Sequence, residues 1–306
     1  MLPLYYCDQH EFPLPPGHKF PLCKYRLLRE RLKGAGVFRF EPAPPATEET
    51  ITLAHDPGYV ARFLRGTLDQ AQVRRIGFPW SEELVRRTLA SVGGTLSAAR
   101  DAMDGGFGGN LAGGTHHASR SEGSGFCVFN DIAVAILDLR RKGQARRAAV
   151  IDLDVHQGDG TAALFENDPA VLTLSLHAGN NFPFRKRPSD IDIELPDGTG
   201  DEEYLKTLQS ILPRVIDFGP EIVFYQSGVD PLAEDTLGRL SLTLEGLRAR
   251  DRIVFETVRG AGLRVAVTLG GGYADPIELT AEAHANTFRE AARLYATSDS
   301  PRSGPV

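Results

Sequence analysis

Short apolar runs rich in β-branched residues, Leu4–Tyr6, Ala148–Val155, Val171–Leu176, Ile222–Ser227 and Val265–Leu269, alternate along this chain with longer amphipathic stretches. Strands that are apolar on both sides must be covered on both sides, and helical crossovers do this while keeping the strands parallel. Helices are expected over Glu82–Met103, Asp131–Lys142, Thr161–Phe165, Glu202–Ile216, Leu244–Arg259 and Ile277–Tyr295. No Ser/Gly linker, composition break or internal repeat divides the 306 residues. One α/β domain is therefore expected over 1–297, followed by a disordered tail at 298–306. The proline-rich stretch Glu41–Pro45 reads as a surface connection rather than a domain boundary.

Composition removes several function classes. With 42% hydrophobic and 24% charged residues the chain can build an ordinary globular core. A net charge of −6 lacks the basic footprint of a phosphate-backbone binder, so no direct nucleic-acid partner is expected. Cys7, Cys23 and Cys127 are odd in number and lack CxxC spacing, which suggests neither a disulfide framework nor a thiolate metal site. The N-terminus has no basic segment followed by an apolar core, and no run is long enough to span a bilayer. A soluble, cytoplasmic protein is the expectation.

The unusual chemistry gathers where the strands should end. Residues 148–160, AAVIDLDVHQGDG, carry Asp152, Asp154, His156 and Asp159 off an apolar strand, and period-two alternation puts Asp152, Asp154 and His156 on one side. Acids and an imidazole leaving a buried strand cost free energy unless compensated, and a divalent metal would compensate them. Same-side neighbours on a strand are roughly 6.5 Å apart, so Asp154 and His156 can bend onto one ion while Asp152 stays a step behind it. Asp230, after the apolar run IVFYQSG, occupies the same kind of strand end and supplies a third ligand. Three protein ligands and one open position describe a catalytic zinc site, although an oxygen-rich set also suits Fe²⁺, Co²⁺ or Mn²⁺. Read singly, Asp154 is an ordinary turn residue and Asp230 an Asp that starts a turn before Pro231; the constellation is what argues for metal.

Other loops add acid–base groups. His116 and His117 follow Gly113-Gly114, where a permissive backbone lets adjacent imidazoles converge, and such a pair supplies a general base and a general acid near neutral pH. Each needs an acceptor on its other nitrogen, and Asp152 and Asp159 remain free to serve. Tyr273, behind Gly270–Gly272, can bring its hydroxyl close to a reacting carbonyl. The glycine-rich stretches match neither GxGxxG nor a phosphate loop with its lysine, so nucleotide binding is set aside. Phe126 and Phe182 are aromatic residues in loops, suited to a core edge or a pocket wall.

Taken together, GGTHHA at 113–118, GSGFC at 123–127, DLDVHQGDG at 152–160, SLH at 175–177, SGVDP at 227–231 and GGGY at 270–273 resemble the zinc-dependent histone deacetylase superfamily. HEFPLPPGHKFPLCKY at 10–25 and HDPGY at 55–59 look like its bacterial and class IV members. The resemblance implies an arginase-like α/β fold, with a central parallel sheet of about eight strands and helices on both faces. It implies Zn²⁺ on Asp154, His156 and Asp230, His-Asp pairs 116/152 and 117/159, and Tyr273 polarising an acyl carbonyl. Gly125, Phe126, Phe182 and Gly271 would bind the substrate stem, and a structural K⁺ would lie near Asp152, Asp154, His156, Ser175 and Leu176. The implied activity is removal of acetyl or longer acyl groups from N6 of lysine in proteins or peptides by a metal-activated water. Gln157, where many members carry a second histidine, looks like class IV and leaves acyl length open. The competing readings are hydrolysis of a small acylated amine of the acetylpolyamine type, a dinuclear manganese hydrolase of the arginase type, and an acyl-lysine binding module without catalysis. Oligomeric state is left open, with a monomer favoured.

Overall fold

The strands β1 (Leu2–Tyr6), β2 (Phe38–Pro42), β3 (Phe107–Asn110), β4 (Ala148–Asp152), β5 (Val171–Ala178), β6 (Ile191–Leu195), β7 (Ile222–Gln226) and β8 (Arg264–Thr268) pair into one sheet. All pairings are parallel, in the order β2-β1-β3-β8-β7-β4-β5-β6. The computed structural model describes residues 1–296, so the tail expected at 298–306 lies outside the described residues.

Alternation along the central strands divides the core in two. Ala149 and Ile151 of β4, Val223 and Tyr225 of β7, and Val265 and Val267 of β8 face one cluster; it includes Leu28 of α1 (Cys23–Leu32), Leu208 of α8 (Asp201–Asp217), Val254 of α9 (Leu244–Gly260) and Phe288 of α10 (Ile277–Tyr295). Ala148, Val150, Ile222, Phe224 and Ala266 face the other, with Phe63 of α3 (Pro57–Leu64), Val92 of α5 (Glu82–Gly105) and Ile132 of α6 (Asp131–Arg141). The remaining helices are α2 (Glu48–Ile51), α4 (Gln70–Ile76) and α7 (Asp159–Phe165). The expected parallel sheet with helices on both faces is the observed one.

Several details differ from the expectation. β4 ends at Asp152 rather than Val155, and residues 153–157 leave the sheet in bends. The cause is local, because the backbone N–H groups of Asp154 and His156 turn onto side-chain oxygens of Asp152 and Asp154 at 3.1 and 3.0 Å instead of joining a ladder. The Glu41–Pro45 connection is only partly superficial. Ala43 is buried, and the Pro44 carbonyl lies so close to α5 that a side chain at Gly93 would overlap it. No described helix is long and apolar enough to cross a membrane.

Candidate active site

All the sequence-derived site residues meet beyond the carboxyl ends of β3, β4, β7 and β8, the central strands of the sheet, where ligands of open α/β sheets bind. The exit of β4 supplies Asp154 and His156, and the exit of β7 supplies Asp230. Their ligand atoms all lie within 4.8 Å of one another, and all three residues are buried. His156 Nδ1 faces Asp154 Oδ1 at 3.0 Å and Asp230 Oδ2 at 3.1 Å. Burial opposes a charged His156, but hydrogen bonding to both carboxylates outweighs it and raises the imidazole pKa to about 10. Burial and the Asp154 charge push Asp230 above the usual carboxylate range. Among the described residues no Lys or Arg forms an ion pair with Asp154 or Asp230. Two buried carboxylates with a single imidazole between them carry excess negative charge, so the donor set fits a divalent cation.

The neighbouring backbone is thinned to let these carboxylates in. A Cβ at Gly271 would fall inside the Asp230 carboxylate, and Gly271 N–H donates to Asp154 Oδ2 at 2.6 Å. Gly271 therefore touches both carboxylates of the triad as well as lining the pocket. Val155 N–H donates to Asp230 Oδ1 at 2.8 Å, which locks the β4 and β7 exits together.

Beside the triad, two histidines lie ring against ring, their centroids 4.0 Å apart. His116 Nδ1 meets Asp152 Oδ2 at 2.7 Å and His117 Nδ1 meets Asp159 Oδ1 at 2.6 Å, the pairing that the family resemblance implied. Their environments push them apart. Burial opposes a charged His116, yet Asp152 and Asp154 overcome it and raise it to about 9. Burial, reinforced by His116, lowers His117 to about 4 in spite of Asp159. With its Nδ1–H directed to Asp159, neutral His117 presents Nε2 as an acceptor. Asp131, at the start of α6, holds the whole loop by accepting from the N–H groups of Gly114 and Thr115 at 3.0 and 2.8 Å and from both Thr95 and Thr115 hydroxyls at 2.5 Å.

A pocket of about 520 Å³ opens onto both histidines, Asp154 and His156. Its walls include Gly125, Phe126, Phe182, Gly271 and Tyr273, so every residue expected to touch substrate lines it. Phe126 is the sole non-glycine described residue with positive φ, 66°, which turns its ring into this wall. Gly125 has to be small, because a Cβ there would stand 2.7 Å from His117 Cδ2. Phe182 packs edge-on to His117 at 4.8 Å between centroids. Burial holds the Tyr273 phenol well above its ordinary pKa, so it remains a hydrogen-bond donor.

Some site residues escaped the sequence reading. Tyr25, Arg74, Arg75 and Leu237 also line the pocket, and Asp235 Oδ2 accepts the Tyr273 N–H at 2.6 Å. Asp131 was legible as a helix start but not as the anchor of the histidine loop. Arg74 and Arg75 come from α4, a short helix that the apolar pattern did not reveal; its capping box at Asp69 and Gln72 was the available signal. Gln157 is engaged outside the Asp154–His156–Asp230 triad, bonding Arg187 O and Asp192 Oδ1 through Nε2 at 2.7 and 2.8 Å.

Comparison with known proteins extends this geometry. A family model described as the histone deacetylase domain matches residues 18–290. An uncharacterised protein of a Picosynechococcus strain is 43% identical over 298 residues, covering 96% of this chain and 99% of its own length. A histone deacetylase-like amidohydrolase of Pseudomonas aeruginosa is 32% identical over 287 residues, covering 86% of this chain and 74% of its own. Among solved structures, the HD domain of HDA15 superposes with a TM-score of 0.77 at 24% identity, over 94% of this chain and 88% of that one, a likeness of fold.

Proposed function

From the premise that the chain belongs to the histone deacetylase domain family and is a hydrolase acting on amides, we propose that it removes acetyl or longer acyl groups from N6 of lysine in proteins or peptides. The observation that carries this reading is the pair of adjacent His-Asp units, with opposed charge preferences, beside a buried two-carboxylate, one-imidazole triad in a single pocket. Binding alone requires no base of this kind, which favours catalysis over a non-catalytic acyl-lysine module.

In this reading Asp154, His156 and Asp230 hold the ion, Zn²⁺ by preference and Fe²⁺ or Co²⁺ in its place. Bound there, it would polarise the acyl carbonyl and make water nucleophilic. His117 Nε2 accepts a proton from the attacking water and returns it to the lysine nitrogen as the C–N bond breaks; the water's second proton passes from the new carboxyl group to the amine, so that a carboxylate and a lysine ammonium are released. His116, charged and fixed by Asp152, favours the negative charge that develops on the acyl oxygen. The Tyr273 hydroxyl donates to that same oxygen. Gly125, Phe126, Phe182 and Gly271 enclose the lysine stem and exclude water.

A structural K⁺ near Asp152, Asp154, His156, Ser175 and Leu176 belongs to the same proposal. Asp152 pairs in register with Gln226, whose buried amide oxygen and nitrogen have no hydrogen-bond partner, and this supports a polar guest at that strand end. The class IV-like assignment rests on Gln157 and the N-terminal motifs, and a cytoplasmic location on composition. The test is an acyl-length series, acetyl to myristoyl, on lysine peptides and on polyamines with metal restored. Turnover of lysine peptides is expected. Turnover confined to polyamines would transfer the reading to small acylated amines, and binding with no acyl release at any length would overturn catalysis.

A further inference from the structure

A lysine ammonium is seldom buried without a carboxylate against it, because its desolvation must be offset. Lys24, in α1, is only 1% exposed and forms no ion pair among the described residues. Its Nζ donates instead to Gly270 O at 3.2 Å and Gly272 O at 3.3 Å, the carbonyls on either side of the glycine that touches both metal-ligating carboxylates. It also faces three aromatic rings, Phe20 at 5.6 Å, Tyr25 at 5.3 Å and, nearest, Tyr273 at 5.0 Å from the ring centre.

Building on the reading of Tyr273 as oxyanion donor, we infer that Lys24 is a positioning residue that fixes the Gly270–Gly272 loop and makes the Tyr273 hydroxyl a stronger donor. The ammonium clamps the backbone that sets where the phenol stands. A cation held over an aromatic face also stabilises electron density drawn toward the ring, so the hydroxyl can share its proton more fully with an oxygen gaining charge. Burial lowers the Lys24 pKa to about 8, opposed by Asp230, Asp235 and Asp154.

The experiment compares acetyl-lysine and trifluoroacetyl-lysine peptides with metal-loaded, full-length wild type, Lys24→Met, Tyr273→Phe and the double variant, and records metal content. The fluorines leave the carbonyl less dependent on a donor to its oxygen. Lys24→Met is expected to lower kcat on the acetyl peptide about tenfold with little change in KM, and to lose far less on the trifluoroacetyl peptide. Tyr273→Phe should show the same ordering, and adding Lys24→Met to it should cost nothing further. Equal losses on both peptides, or an undiminished loss in the Tyr273→Phe background, would overturn the inference and leave Lys24 a packing or metal-retention residue. If Lys24→Met does not fold, Lys24→Arg keeps the charge and should preserve the wild-type ratio between the two peptides; a ratio shifted as in Tyr273→Phe would count against it. No turnover of either peptide by metal-loaded wild type would instead overturn the underlying reading, and this inference with it.

Discussion

An imidazole held between two buried carboxylates can keep a proton or give its lone pair to an ion, and His156 must choose. Its pKa, raised to about 10 once both carboxylates outweigh burial, means that metal has to displace that proton at any lower pH. Apparent metal affinity should therefore rise about tenfold per pH unit between about 7 and 9, measurable by competition with a chelator of known affinity. A flat profile would show that His156 is not a ligand. Gly271→Ala, which drives a methyl into the Asp230 carboxylate, should abolish stoichiometric metal binding, read by metal analysis of folded protein. His117→Ala and Tyr273→Phe should each lower kcat by about two orders of magnitude or more with little change in thermal stability. At this scale the sequence was most legible where chemistry contradicts burial. Acids and a histidine leaving an apolar strand have few explanations, so spacing singled out Asp154, His156 and Asp230, whose ligand atoms the fold brings within 4.8 Å of one another. Lys24 was not legible, because a lysine beside other basic residues in CKYRLLRERL looks solvated until the aromatic rings around it are placed.

At the scale of elements, the histidine loop is held by a helix rather than by its own glycines. Asp131 begins α6 and accepts hydrogen bonds from Gly114, Thr115 and Thr95, so Asp131→Ala leaves several buried donors without a partner. A loss of about 2–4 kcal/mol in unfolding free energy is expected by denaturant titration, together with reduced kcat, since His116 and His117 lose their support. Unchanged stability and turnover would refute the anchoring role. Long elements were readable from periodicity, and α5, α6, α8, α9 and α10 lie close to their expected spans. The unread strands β2, β3 and β6 are short, and β3 is Phe107-Gly-Gly-Asn110, whose glycines hide a strand that needs small residues against α5 and Phe288. The short helices α1–α4 escaped for a related reason, since between one and three turns give periodicity little to repeat.

For the molecule as a whole, the site depends on strands separated widely in sequence, and one buried residue helps keep their exits together. Arg250 of α9 is fully buried, pairs with Asp251 at 2.8 Å and donates to Leu153 O at 3.3 Å and Gly228 O at 2.6 Å, bridging the segments that carry Asp154 and Asp230. Arg250→Met would strand Asp251 without its counter-charge and should cost about 3–5 kcal/mol, seen as a fall in thermal midpoint before any assay of activity. The order of the sheet also bears on time. Among the described strands β8 comes last in the chain, yet it sits between β3 and β7, so until it exists β2-β1-β3 and β7-β4-β5-β6 share no neighbour. Asp154, His156 and Asp230 belong entirely to the larger group, His116 and His117 follow the smaller one, and Tyr273 comes only after β8 itself. During synthesis the three residues of the candidate triad therefore precede Tyr273. Insertion of β8 between the two groups is therefore the step that brings the triad, the histidine pair and Tyr273 to one place.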